Sequence, residues 1–250
     1  MNIALIGYGT MGHEIETSAL QRGHSVIARF NSESLIPPTV SDFYKSNSIQ
    51  CFIDFSTASL VRTHAEISST LGIPLVEGTT GWQDQKKEIL DRVRNKNGTM
   101  VYGSNFSVGA QMFFRIVQQA SQLMDAFPDY DVAIHETHHT KKKDAPSGTA
   151  LTIGDIILSQ IHRKTAIKKQ SESPVIQPNE IGITSTRIGS VPGIHSVMFN
   201  SVADEIELTH RAHNRSGFAF GAVLAAELIQ NFSGVFSFEE LLFEKSFTHQ

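Results

Sequence analysis

Asn2-Ile3-Ala4-Leu5-Ile6-Gly7-Tyr8-Gly9-Thr10-Met11-Gly12 sets a short apolar run directly before three glycines in G-x-G-x-x-G spacing. Met11, Ile15 and Ala19 follow at helical spacing, so the segment reads as strand, tight turn and helix. Each glycine has a separate task in such a loop: a tight turn, close backbone approach to a pyrophosphate, and close packing of helix on strand. The helix start then offers free amides to phosphates.

The pattern continues outward from this loop. After Gly23, residues 24–30 form a second strand candidate ending near Arg29, and a polar loop follows through Pro37-Pro38. Apolar runs at residues 51–55, 74–76 and 99–102 read as strands, with helical spacing at 58–71 and 83–95 between them. Strands alternating with helices through residue 104 predict an α/β domain whose parallel sheet is covered on both faces. The pattern then changes. A helix over 108–127, an alternating strand at 130–136 and a helix over 149–162 precede three runs without helices between them, at 181–188, 195–201 and 204–211. Successive strands of that kind predict a second, α+β domain with a mixed or antiparallel sheet. A last helix near 218–230 is placed to return to the first domain.

The bulk numbers exclude several classes. A chain of 250 residues can bury a sizeable core as one large domain or two modest ones. Lys+Arg 21 against Asp+Glu 25 gives a net charge of -4, and the one basic run is Lys141-Lys142-Lys143, so no nucleic-acid partner is expected. The single cysteine, Cys51, cannot form an intramolecular disulfide and sits in an apolar run, which points to a reducing compartment. The opening residues leave no room for an export signal, and no run approaches the roughly 18 apolar residues of a membrane span. A cytoplasmic protein with no membrane contact is expected.

Cofactor choice turns on the end of the second strand. An acidic residue about 20 positions after the glycines would bond a ribose 2′-hydroxyl, whereas an arginine favours a 2′-phosphate. Here Arg29 and Asn31 stand at the strand end and the nearest acid is Glu33. That arrangement leans toward NADPH, with use of both NADPH and NADH expected.

The densest chemistry lies in His135-Glu136-Thr137-His138-His139-Thr140-Lys141-Lys142-Lys143-Asp144-Ala145-Pro146-Ser147-Gly148-Thr149. Its start matches H-E-x-x-H, which holds zinc only on a helix, where residues four apart share a face. The preceding residues alternate like a strand, and extended residues four apart are separated by about 13 Å, so no metal is expected. Pro146-Ser147-Gly148-Thr149 reads instead as a helix cap with free amides for an anion. Beside it stand a cationic amine and histidines able to move protons near neutral pH. A small carboxylate is the natural partner.

The segment from Glu136 to Ala150 resembles the signature of the 4-hydroxy-tetrahydrodipicolinate reductase family, E-[AG]-H-H-x-x-K-x-D-A-P-S-G-T-A, departing only at Thr137. Asp54-Phe55-Ser56, Gly78-Thr79-Thr80-Gly81-Trp82 and Ser104-Asn105-Phe106-Ser107-Val108-Gly109 are similar to the same family. Weaker similarity runs through Arg187, Gly189, Gly193 and His195 to Thr209-His210-Arg211-Ala212 and Arg215. The resemblance implies a Rossmann-like dinucleotide-binding domain at 1–106 and 214–250, and a substrate-binding and oligomerisation domain at 107–213. It also implies a homotetramer, and NAD(P)H-dependent reduction of a small dicarboxylate in lysine and diaminopimelate biosynthesis. By position it makes His138 the acid/base residue, Lys142 the proton donor, and His139, Gly148 and Thr149 substrate-binding residues. It assigns the dinucleotide to Gly7, Tyr8, Gly9, Thr10, Met11 and Gly12, to Gly78, Thr79 and Thr80, and to Gly103, Ser104, Asn105 and Phe106; Arg215 would help hold a substrate carboxylate. The chain departs from the family pattern in a short, polar stretch between Phe30 and Cys51, and in Asn31 where an acid often stands. Two other readings share the glycine loop: another small dehydrogenase of the aspartate or homoserine type, and a non-catalytic dinucleotide sensor. The first has no reason to carry the His138 to Thr149 signature, and the second none to keep its proton-transfer groups.

Overall fold

The computed structural model describes residues 1–31, 48–169 and 175–245. Glu33 and the Pro37-Pro38 pair lie outside them. In chain order the elements are β1 (Asn2–Ile6), α1 (Thr10–Gln21), β2 (Ser25–Phe30), β3 (Cys51–Asp54), α2 (Val61–Leu71), β4 (Leu75–Glu77), α3 (Lys86–Asn95) and β5 (Met100–Tyr102). Then come α4 (Val108–Asp125), β6 (Asp131–His138), α5 (Gly148–Gln160), β7 (Ala166–Lys169), β8 (Glu180–Arg187), β9 (Gly193–Asn200), β10 (Glu205–Ala212), α6 (Ser216–Leu228) and β11 (Val235–Ser237). Contacts divide the chain into two compact units, Met1–Val108 with Arg215–Gln250, and Gly109–Asn214.

The first unit is built on a six-stranded sheet in the order β11-β5-β4-β3-β1-β2, with every pair parallel. Its inner strands β1, β3 and β4 are buried almost throughout, as expected where both faces are covered. Ile3 and Leu5 of β1 pack toward α1 and α6, through Ile15, Ala19, Ala222 and Val223. Ala4 and Ile6, pointing the other way, pack with Val61 and Ala65 of α2 and Ile89, Leu90 and Val93 of α3. Helix α6 approaches closely because its buried face is small: a Cβ at Gly221 would stand 1.7 Å from the carbonyl oxygen of Phe106. The returning segment thus covers one face with α6 and adds β11 beside β5.

The second unit carries a five-stranded sheet, β10-β9-β6-β8-β7. β6 pairs in parallel with β8 and antiparallel with β9, so the sheet is mixed. α4 and α5 cover one face through Phe113, Phe114, Val117, Ile153 and Ile157, packed on Val132, Ile134, Ile183, Val197 and Phe199. Each large aliphatic side chain so buried contributes about 2 kcal/mol.

Two strands carry no readable signal in the sequence. β7 is the four residues Ala166–Lys169, all half-buried, and β11 is three residues long. Such runs hold too few residues to display a period of two. Among the described residues, no helix is long and apolar enough to cross a membrane.

Candidate active site

β6 arranges the chemistry of the second unit. Its burial alternates, so Val132, Ile134, Glu136 and His138 face the helix-covered side, while His135 and Thr137 face the other. His135 Nδ1 pairs with Thr184 Oγ1 at 2.7 Å on that opposite face. Residues 135–138 of the H-E-x-x-H spacing therefore lie on an extended strand, with His139 just beyond it.

Glu136, with no exposed surface, is the anchor. One carboxylate oxygen accepts from Arg187 Nη2 at 2.8 Å, and the other bonds His138 Nδ1. The register explains the contact, since β8 sets Arg187 directly opposite His138. Burial opposes the Glu136 charge, but hydrogen bonds from His138, Arg187 and Ser185 outweigh it and hold the carboxyl at about 2. An ionised partner on Nδ1 orients the imidazole and leaves Nε2 to meet a ligand. Gly193 makes room for that nitrogen: a Cβ there would stand 3.0 Å from Nε2.

The network continues to the loop and the helix start. Arg187 Nη2 also donates to the Asp144 carbonyl at 2.6 Å, and the Asp144 carboxylate pairs with Lys142 Nζ at 2.9 Å. The Lys142 amide donates to the His139 carbonyl at 3.1 Å, so a single turn joins the second histidine to the lysine. Ser147 caps α5 by accepting from the Ala150 amide at 3.2 Å, and its hydroxyl also meets His195 Nε2 at 3.1 Å. Gly148 and Thr149 are the first two helical residues, whose amides have no intrahelical acceptor. The space beside Gly148 is open, with nothing within 4 Å of a Cβ placed there. An anion set at that point would meet two amides and the positive end of the helix.

His195 packs edge-on against His138, ring centroids 5.1 Å apart. Burial, then the His138 charge, depresses its pKa to about 4, so it stays neutral beside its partner. Glu136, His138 and His195 bring ligand-type atoms within 4.8 Å of one another. Arg187 already holds the Glu136 carboxylate, however, and a guanidinium at that distance supplies the positive charge a cation would bring.

In the first unit the glycine loop meets the physical demands of a phosphate cradle. Gly7 has φ +85, a left-handed conformation, and a Cβ there would lie 2.4 Å from the Phe55 carbonyl oxygen. A Cβ at Gly12 would lie 2.6 Å from the Gly7 carbonyl oxygen, so the helix can start this close to the turn only with glycine. Gly9 caps α1 with no side-chain bond and faces open space. A pyrophosphate can therefore reach the Thr10 and Met11 amides, and the residues present fit a dinucleotide.

The chain matches two family models in succession: dihydrodipicolinate reductase, N-terminus, over residues 1–106, and dihydrodipicolinate reductase, C-terminus, over residues 109–242. The chain belongs to the dihydrodipicolinate reductase family. It is 36% identical over 242 residues to the 4-hydroxy-tetrahydrodipicolinate reductase of Christiangramia forsetii, covering 97% of this chain and 98% of that one. It is 34% identical over 248 residues to the enzyme of that name from Staphylococcus saprophyticus, covering 96% and 100%. Among solved structures it is similar to the dipicolinate-bound dihydrodipicolinate reductase of Paenisporosarcina sp. TG-14, with a TM-score of 0.75 at 20% identity over 96% of this chain and 99% of that one. The nicotinamide-dependent oxidoreductase class and NAD(P)H follow from this family.

For a dihydrodipicolinate reductase, the sequence names most of the residues that lie together. His138, His139, Lys142, Gly148 and Thr149 stand along one strand end, loop and helix start. Phe106 differs: its ring is buried against Phe238 and Phe55, with centroids 4.7 and 5.8 Å away. Asn105 turns its side chain on its own segment, accepting from the Ser107 amide at 2.9 Å. Arg29 is also engaged. Its guanidinium pairs with Glu16 of α1, which bonds Tyr8 as well, and it lies 5.6 Å over the Tyr8 ring. The carboxylate that engages Arg29 thus comes from the first helix, where distance along the sequence hides it. Arg187 and His195 enter the sequence reading only as weak similarities; their pairing with Glu136 and Ser147 needs the sheet register. Arg215 is the cap residue of α6 in the first unit.

Proposed function

We propose that this protein reduces 4-hydroxy-tetrahydrodipicolinate to tetrahydrodipicolinate with NAD(P)H, with His138 as acid/base residue and Lys142 as proton donor. Family membership carries the reaction, and the contact chain from Glu136 through His138 and Arg187 to Asp144 and Lys142 supports the roles. Gly7 to Gly12, with residues 78–80 and 103–106, would hold the nicotinamide dinucleotide, which when bound supplies the hydride. The chain's own groups do the rest. A substrate carboxylate rests on the Gly148 and Thr149 amides, where helix-end charge favours an anion. His139, one residue past the strand, contacts the same molecule. His138, held by Glu136, assists departure of the substrate hydroxyl as water, and the Lys142 ammonium delivers the proton that balances the hydride at the neighbouring ring atom. Arg29 and Asn31 lie at the adenine-ribose end, and the Glu16 pairing on Arg29 fits an enzyme that uses NADH as well as NADPH.

The same reading makes the enzyme a cytoplasmic homotetramer assembled through the mixed sheet, whose face opposite α4 and α5 carries His135, Thr137 and Thr184. The test is oxidation of NADPH and of NADH followed by absorbance, with substrate generated in place by the preceding synthase. Substrate-dependent oxidation is expected with both cofactors. Dinucleotide binding without any oxidation would replace the enzyme with a sensor.

A further inference from the structure

The first unit buries two carboxyl groups side by side. Asp54 ends β3, Glu77 ends β4, the two residues are register partners, and neither has exposed surface. Each fastens the loop that follows. Asp54 Oδ1 accepts from the Ser56 amide at 2.9 Å and from Thr79 Oγ1 at 3.5 Å, while Glu77 Oε1 accepts from the Thr79 amide at 2.8 Å. Thr79 Oγ1 in turn receives the Ser56 amide at 3.1 Å, so the two loops are laced together. His64 of α2, itself buried, closes the group with Nδ1 at 2.6 Å from Asp54 Oδ2.

One atom is left over. Glu77 Oε2 is buried without a donor. A carboxylate oxygen sealed from water with no donor is costly, and two ionised carboxylates in contact cost more. Both costs are relieved if Oε2 carries a proton, because the acceptor at hand is the Asp54 carboxylate, the register partner on the next strand and tied to the same Thr79. Among the described residues, the titratable groups nearest Glu77 are Asp54 on β3, with His64 of α2 already bonded to it, and Tyr102 at the paired position of β5.

We propose that Glu77 carries a proton in the working protein and donates it from Oε2 to Asp54, so that the pair and His64 form a shared-proton latch positioning the loops at Ser56 and Thr79 for the nicotinamide dinucleotide. The proposal rests on the reading that residues 78–80 hold that cofactor. These are positioning residues. Loss of the Glu77 proton puts two negative charges in contact beneath both loops and releases them.

The test is NADPH affinity by titration from neutral into alkaline pH, for wild type and Glu77→Gln. The glutamine amide keeps donating to Asp54 at every pH. Wild-type affinity is expected to weaken by about tenfold per pH unit once the latch titrates, and Glu77→Gln is expected to lack that loss; a merely structural carboxyl would give parallel profiles and overturn the proposal. A second measurement needs no variant. With a heavy-carbon label in the glutamate side-chain carboxyls, the infrared spectrum of wild type should hold a protonated-carboxyl band at neutral pH that disappears with the affinity, and absence of the band would refute the latch. Failure of wild type to bind NADPH at neutral pH would instead strike the functional reading, since the infrared band reports the proton whether or not a cofactor binds.

Discussion

Glu136 shows how one residue ties stability to chemistry. Its charge is buried and compensated by Arg187 and His138, so Glu136→Gln leaves a guanidinium without its counter-ion and an imidazole without its orienting partner. The loss of folding stability is expected to be about 3 kcal/mol, read by denaturant unfolding. Because misplacing an acid/base group costs rate rather than affinity, kcat should fall by about 100-fold while the KM for NADPH holds. The pH dependence has a definite sign. The Glu136 carboxyl is lowered from 4.5 to about 2, so its contribution is complete above the ordinary value and is lost as the pH falls through the folded one. His195 works in the same direction at milder pH. Lowered from 6.5 to about 4, it must shed a proton to fold, so stability declines as the pH drops from 6.5 toward 4. Thermal melts across that range should show the decline in wild type and a shallower one in His195→Gln; identical slopes would contradict the assignment. Glu77 has the opposite sign. Burial and the neighbouring Asp54 charge raise its carboxyl well above 4.5, so its contribution is greatest in acid and fades as the pH rises from that value through the folded one.

Elements turn such residues into sites, and the glycine loop separates the two tasks cleanly. Gly9→Ala places a methyl where nothing lies within 4 Å, so Tm should hold while NADPH affinity falls, because the methyl occupies the approach of the pyrophosphate. Gly12→Ala drives a methyl to 2.6 Å from the Gly7 carbonyl oxygen and should lose both, with about 2 kcal/mol of stability. Equal effects from the two variants would deny the loop its proposed role. The loop is legible in the sequence because its demands are local: an apolar run, three glycines and a helical period. β6 is legible for the same reason, since alternation from Tyr130 to Glu136 separates the zinc-like spacing from a true helix. What stays hidden depends on register. The pairing of Glu136 with Arg187 spans β6 and β8, that of Ser147 with His195 links a helix cap to β9, and Asp54 meets Glu77 only because β3 and β4 are neighbours.

At the scale of the whole molecule, the change from alternating strands and helices to consecutive strands is visible in the sequence and corresponds to a parallel sheet in one unit and a mixed sheet in the other. The last helix is visible too, while β11 beyond it is too short to read. The assembly proposed for the second unit predicts a tetramer by light scattering, and paired charges placed on the open sheet face, as in Thr137→Glu with Thr184→Glu, should shift it toward smaller species. The proposed reaction is reduction of a cyclic dicarboxylate with Lys142 as the proton donor. Substrate-dependent NADPH oxidation by wild type and Lys142→Ala tests it most directly. Wild type is expected to oxidise NADPH rapidly and the variant to show a kcat lowered by roughly 100- to 10,000-fold, with NADPH still bound; a variant that turns over at the wild-type rate would remove Lys142 from the proton-donor role.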